Sequence, residues 1–385
     1  MKTSIVFTGD IGFDRYMDKK WEDENLLSND ILSFINNSNH VVANVEGALF
    51  NGKDNSGRGI FFHSMDVDAS KFLKNINADI WSIGNNHIMD AGKDGLLSTM
   101  NIANDLGYKT IGAGINLDEA SKPLYLEEVG GIGFICVAYQ TECVPATLSS
   151  PGIFRWNDLD LISKRIKEIK SKCKWCVVIS HGGEEFASLP NPYTRNRYLK
   201  YLDMGADIIV AHHPHVVENY ELFENKAIFY SLGNFIFDTD YQRVHLYTDR
   251  GVLLKLIFDE DSFNFEAIGT YINRNNGKVE KSYLPDIFTN INSDEYDLLI
   301  PLSAKGFIEE EKRKMIYLEP DKYKDCDESV WLDYFYSDKP DGYFKNEHMD
   351  LSLIYPLSLK YAEGTWKNSS LEKVKKYIYS QINVN

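Results

Sequence analysis

Acids, amides and imidazoles able to hold divalent cations recur in this sequence just past short apolar runs. Asp10 follows the run 4–8, Glu46 follows 41–44 in Asn44-Val45-Glu46, and Asn85-Asn86-His87 follows 79–83. His181 closes the run 176–180, and His212-His213-Pro214-His215 follows 208–211. Carboxylates suit hard divalent ions, while imidazoles suit zinc, iron or manganese. A bridging carboxylate can hold two ions about 3.5–4 Å apart, a spacing that clamps the attacking and leaving oxygens of phosphoryl transfer. Each cluster alone has a plainer reading. Asp10 is a common turn residue, Asn85-Asn86 tolerates left-handed backbone, and His181 before Gly182-Gly183 is an ordinary loop histidine. The pair His213-x-His215 says more, because at a strand end this spacing points both imidazoles to one side. Six of the nine histidines, His63 included, fall in or beside these clusters, which scattered core histidines would not do.

The elements that must position these residues follow from periodicity. Apolar runs at 4–8, 41–44, 79–83, 109–111, 176–179 and 208–210 alternate with helical spacing at 30–37, 67–76, 93–106, 159–170 and 195–204. That is βαβ patterning, in which loops at the carboxyl ends of strands converge on one cleft. The runs 124–129 and 132–137, split by Gly130-Gly131, predict a hairpin, and 216–222 with 227–232 predicts an antiparallel pair. Both kinds of pairing imply a mixed sheet, or two packed sheets, flanked by helices. Segments 251–258 and 263–272 extend the same sheet system. From Leu284 onward Tyr, Phe, Lys, Asp and Glu dominate and no catalytic motif occurs, so the chain divides into a domain at 1–283 and an accessory region at 284–385.

Composition narrows the function. With 41 Lys and Arg against 57 Asp and Glu, the net charge of −16 argues against a nucleic-acid partner, which requires basic residues on phosphates. An anionic substrate is still compatible, since metal ions or a few arginines make one cleft locally positive. Five cysteines without regular spacing suit reduced thiols, and Cys173-Lys174-Trp175-Cys176 reads as strand-edge packing rather than a zinc or redox motif. No signal-like apolar stretch opens the sequence and no run is long enough to span a bilayer, so a cytoplasmic location is expected.

Taken in order, Gly9-Asp10, Asn44-Val45-Glu46, Asn85-Asn86-His87 with Asp90, Gly112-Ala113-Gly114, His181-Gly182-Gly183, His212-His213-Pro214-His215 and Ser231-Leu232-Gly233-Asn234-Phe235 resemble the CapA-type capsule and poly-γ-glutamate biosynthesis family. That family is a branch of the calcineurin-like metallophosphoesterases, and the resemblance covers roughly residues 1–240. It implies an α/β sandwich of two mixed sheets flanked by helices, with a C-terminal extension. It also implies one or two divalent ions (manganese, zinc or iron) held by Asp10, Glu46, Asn86, His181, His213 and His215, with Glu46 as the bridging carboxylate. Asp10 and Glu46 thereby belong to the catalytic set. His87 resembles the histidine that protonates or stabilises the leaving oxygen. Arg15, His63 and His212 stand where substrate contacts are expected, Glu185 is placed to orient His181, and Asn234 to cap a turn.

The sequence departs from the pattern twice. Gly12 replaces a histidine ligand of the first ion, leaving that ion a donor short, with Asp14 a possible substitute. Gly182 stands where the family usually has an aromatic, which implies a wider pocket. The implied activity is metal-dependent hydrolysis, of phosphoesterase type, in the making of capsule, poly-γ-glutamate or surface polysaccharide. Its partner would be a phosphorylated or carboxylated polymer or precursor, beside a polymer synthase. The alternative is a non-hydrolytic assembly component that binds the anionic polymer, which a weakened metal site would suit.

Overall fold

Side-chain alternation along the first strand sets the layering. In the strand Thr3–Gly12, Ile5 and Phe7 point into one core, while Val6 and Ile11 point into another. A strand with successive side chains on opposite faces can be buried on both only if each face is covered, and this one is buried along nearly its whole length. The computed structural model describes residues 2–52, 59–139, 143–336 and 369–382. Residues 53–58 and part of the accessory region 284–385 lie outside the described residues.

Two large sheets carry the fold. The first runs in the order Lys278–Ser282, Phe263–Asn273, Arg250–Phe258, Thr3–Gly12, His40–Val45, Ile80–Ser82 and Lys109–Ile111, with Asn234–Phe237 also paired to Thr3–Gly12. The second has the order Tyr220–Phe223, Lys226–Phe229, Ile208–His212, Trp175–His181, Ile132–Ala138 and Leu124–Leu126. Both are mixed. The first is antiparallel from Lys278–Ser282 to Thr3–Gly12 and parallel from there to Lys109–Ile111. The second is parallel at its centre and antiparallel at both edges.

Three apolar layers glue the sheets to each other and to the helices. Ile5, Phe7, Val42, Phe134, Val177, Ile179 and Val210 fill the space between the sheets. Val6, Val41 and Ala43 pack outward on Ile31, Ile35, Leu73 and Leu96 of the helices Asn29–Asn36, Ser70–Asn75 and Gly92–Asp105. On the far side Ile135, Val178 and Ile209 meet Ile162, Ile166, Tyr198 and Tyr201 of Leu159–Lys170 and Pro192–Asp203. Each fully buried side chain of this kind contributes about 1.5–3 kcal/mol.

The hairpin forms between Leu124–Leu126 and Ile132–Ala138 as the glycine pair implied. The expected antiparallel pair is shorter than the apolar runs, Tyr220–Phe223 with Lys226–Phe229, followed by a single Val217–Leu232 bridge. The accessory segment contributes a long helix, Ser293–Leu318, opened by a reciprocal cap between Asn292 and Glu295. Its Tyr296, Leu299 and Leu302 join Leu371, Val374 and Ile378 of the helix Ser369–Ile382 in the inter-sheet core. All five cysteines are free thiols, and Cys176 is a fully buried strand residue.

Candidate metal centre

The carboxyl ends of the central strands meet at one place. His181 and His212 are the last residues of neighbouring parallel strands and stand in register. Glu46 follows His40–Val45, and Asn85-Asn86-His87 follows Ile80–Ser82. Asp10 was expected beyond its strand, but it lies inside it, where the pairing slips relative to His40–Val45. The reason is a change of partner. Residues 3–7 pair with Arg250–Phe258, whereas Asp10–Gly12 pair with Asn234–Phe237. Gly9 makes the switch possible, because a Cβ there would sit 2.2 Å from the Gly233 carbonyl oxygen.

The histidine pair also reaches the cluster by a route that strand geometry does not supply. His213 and His215 have φ of +100° and +57°, so the chain coils after His212 instead of continuing as a pleat. Such backbone is costly for a non-glycine residue and persists only where surroundings enforce it. Two backbone hydrogen bonds do so: Gly182 N–H donates to His212 O, and Phe186 N–H donates to Pro214 O.

Glu46 is the centre of the arrangement. Its Oε1 lies 3.5 Å from His215 Nε2, 3.7 Å from His181 Nε2 and 3.9 Å from His87 Nε2. Asp10 Oδ2 is 3.2 Å from His215 Nδ1, and Oδ1 is 3.4 Å from His212 Nδ1. Asn86 Oδ1 is 3.0 Å from His181 Nε2, and His87 Nδ1 is 2.8 Å from Asp90 Oδ2. Asp10, Glu46 and His181 offer ligand atoms within 4.8 Å of one another, and so do Glu185, His213 and His215.

The donor set fits divalent cations. Glu46 is fully buried, yet neither of its oxygens has a hydrogen-bond partner among the described residues. A buried carboxylate with no partner is expensive unless a positive charge answers it. Burial, helped by the neighbouring Asp10 charge, pushes the Glu46 carboxyl well above its ordinary range against the pull of His215. Burial also works against an ionised Asp10, but hydrogen bonds and charge from His212 and His215 outweigh it and hold this carboxyl low. His215, opposed by burial but drawn up by Glu46 and Asp10, rises to about 10. Burial and the nearby His213 keep His181 well below the usual imidazole range, the neutral form a metal ligand requires.

Two residues to which the sequence assigned no part in the metal site brace the cluster. Asn44 Nδ2–H donates to Asp10 Oδ1 at 2.8 Å, two residues before Glu46 on the same strand face. Asn234, expected to cap a turn, is fully buried and instead fixes His215. Its amide nitrogen donates to Gln242 Oε1 and Thr248 O, which leaves Oδ1 to accept from His215 Nδ1–H at 3.0 Å and turns Nε2 towards Glu46. The sequence signal for Asn44 was its place in the Asn44-Val45-Glu46 motif, two residues before Glu46.

Other expected residues fall as follows. Asp14 accepts from His63 Nδ1 at 2.8 Å, and His63 packs edge-on against His87 with ring centroids 4.3 Å apart. Arg15 lies beside Asp14 with its side chain 44% exposed, and His212 is buried against Asp10. Glu185 does not orient His181; it accepts from Tyr241 O–H and belongs with His213 and His215. At Gly12 a Cβ would meet the Phe237 ring at 2.4 Å, and that ring stacks on His215 with centroids 5.0 Å apart. The place of the missing histidine is therefore filled. Gly182 does not widen the pocket either, since a Cβ there would meet Trp156 and Tyr139 at 2.9 Å.

Two mixed sheets face to face, with helices outside, make this fold an α/β sandwich. The chain belongs to the bacterial capsule synthesis protein family PGA_cap, whose pattern matches residues 4–239. The PGA biosynthesis protein CapA of Bacillus subtilis (strain 168) is 32% identical over 248 residues, covering 62% of this chain and 64% of that protein. The capsule biosynthesis protein CapA of Bacillus anthracis is 30% identical over 221 residues, covering 54% and 53%. The chain thus matches less than two thirds of the length of either relative. A 5'-nucleotidase from Candida albicans SC5314 aligns over 69% of this chain and 50% of its own at 12% identity, with a TM-score of 0.40. Among the described residues no helix is long and apolar enough to cross a membrane.

Proposed function

We propose that this chain is a divalent-metal-dependent hydrolase of phosphoesterase type, acting on a phosphorylated or carboxylated precursor in capsule or poly-γ-glutamate assembly, beside a polymer synthase. The observation that carries the proposal is Glu46: a buried carboxylate without a hydrogen bond, ringed by three imidazole nitrogens within 3.9 Å. Asp10, Glu46, Asn86, His181, His213 and His215 would hold the ions. When bound, the ions would lower the pKa of water and neutralise charge developing on phosphoryl oxygens. His87 lies at the edge of the cluster, with Nδ1 held by Asp90 and Nε2 3.0 Å from the Asn86 amide nitrogen and 3.9 Å from Glu46. In its protonated form it would hand the Nε2 proton to the leaving oxygen. Arg15 at the exposed edge, with His63 and His212, would complete the anion-binding side.

One observation favours a non-hydrolytic, polymer-binding component: the Phe237 ring where the first ion's histidine would stand. Paired substitutions separate the readings. His87→Ala should keep the metal content of the parent and lose about 10²-fold or more of its turnover of a phosphomonoester or phosphodiester. His181→Ala should lose ions and turnover together. Parent protein that turns over neither ester class with manganese, zinc or iron, yet binds an anionic polymer, would transfer the case to the binding component.

A further inference from the structure

The position opposite the missing histidine has its own donor set. Glu185 stands in the loop after Trp175–His181, and that loop is tied to the histidine loop by the Phe186–Pro214 backbone hydrogen bond. Its carboxylate shares a 4.8 Å neighbourhood with ring nitrogens of His213 and His215. Among the described residues its side-chain contacts fall on one oxygen: Tyr241 O–H donates to Oε2 at 3.1 Å, and Lys314 Nζ lies 3.7 Å from the same atom. Beside this group is Glu46, fully buried, with Oε1 at 3.5 Å from His215 Nε2 and no hydrogen bond on either oxygen. Glu46 thus belongs to one donor group, with Asp10 and His181, and its Oε1 also reaches His215 of the other, His213, His215 and Glu185.

We propose that Glu185 is a metal ligand: with His213, His215 and the shared carboxylate of Glu46 it forms one of two ion positions, supplying the donor that Gly12 and Phe237 deny. The assignment rests on the reading that this cluster holds divalent cations. Three donors plus a bridging carboxylate meet the four-coordinate minimum of an imidazole-rich transition-metal site. Tyr241 and Lys314 anchor Oε2, as outer partners commonly orient a ligating carboxylate. Lys314 belongs to the helix Ser293–Leu318, beyond the segment 4–239 that the family pattern matches, so the C-terminal helix reaches the metal centre through Glu185.

The test counts ions without substrate. The full chain, prepared without chelators and loaded with manganese, should carry two ions per chain and give the electron paramagnetic resonance signal of an exchange-coupled pair. Folded Glu185→Gln should carry one ion and give an uncoupled signal. Lys314→Met, which removes the ion pair but leaves the carboxylate, should keep two. Should Glu185→Gln fail to fold, Glu185→Asp replaces it, with an expected loss of about ten-fold in the affinity of one ion and none in the other. Two coupled ions in Glu185→Gln, unchanged affinities in Glu185→Asp, or loss of both ions in a folded variant would each overturn the assignment and leave the metal-dependent reading standing. A parent that takes only one ion overturns it as well. A parent that takes none sinks both.

Discussion

Asp14 shows how a residue outside the donor cluster sets its shape. Its carboxylate accepts from His63 Nδ1, and His63 in turn leans edge-on against His87, the proposed proton donor. Burial works against the Asp14 charge, but the hydrogen bond and charge of His63 outweigh it and hold the carboxyl below its ordinary range. A carboxyl with a depressed folded-state pKa contributes stability above its unfolded value of about 3.9, and that contribution vanishes as pH falls through the folded value. Asp14→Asn should therefore destabilise the fold by about 1–2 kcal/mol at pH 7, the scale of a hydrogen bond to a charged group. The gap to the parent should close as acid protonates the parent's carboxylate. Urea unfolding at several pH values measures it, and a gap that stays constant down to pH 3 would show that Asp14 holds His63 without its charge.

Among the elements, the strands that converge on the site are set by close backbone approach. Thr3–Gly12 can leave Arg250–Phe258 for Asn234–Phe237 only because Gly9 lets the Gly233 carbonyl come within van der Waals range. Gly182 serves a different neighbour, the packed rings of Trp156 and Tyr139, whose centroids are 4.9 Å apart. The two glycines should respond differently to a methyl group. At Gly182 the obstruction is side-chain, so Gly182→Ala should cost about 1–3 kcal/mol by overpacking. At Gly9 the obstruction is a backbone oxygen with no rotamer to escape into, so Gly9→Ala should cost more and displace Asp10. Thermal melting ranks the pair. Equal, small losses would mean that the strand shifts freely at Gly9.

At the scale of the whole molecule, the C-terminal helices are built into the core and not hung upon it. Ser293–Leu318 buries Glu310 against His245, whose Nδ1 lies 2.9 Å from Oε2, with both side chains fully buried. His245 stacks on Phe186 at 3.6 Å with the rings 7° from parallel, and Phe186 lies in the loop that carries Glu185. A line of packed groups thus joins the helix to the metal-centre loops. Removing one member of such a buried pair leaves the other without its partner. Glu310→Ala should accordingly cost about 1–3 kcal/mol, read by denaturant unfolding as a lower midpoint with one cooperative transition. Splitting into two transitions would show that the helix folds independently of the sandwich.

Much of this protein was legible in its residues. The continuous apolar runs and the helical spacing between them determined a strand–helix alternation, because strands buried on both faces leave that mark on a sequence. The placing of Asp10, Glu46, Asn86, His87, His181 and the His212–His215 run near strand ends pointed to one cleft, because parallel strands share a carboxyl edge. Which atoms meet there was a tertiary decision. Asn44 and Asn234 fall within family-like motifs, but their partners do not follow from those motifs: distant segments bring Asp10 and His215 against them. The strand switch at Gly9, the coiling of His213 and His215, and the Phe237 ring beside Gly12 depend on close approaches between strands far apart in sequence. Glu185 joins His213 and His215, and not His181, because the loop bends back onto Pro214, a contact that no spacing within the sequence encodes.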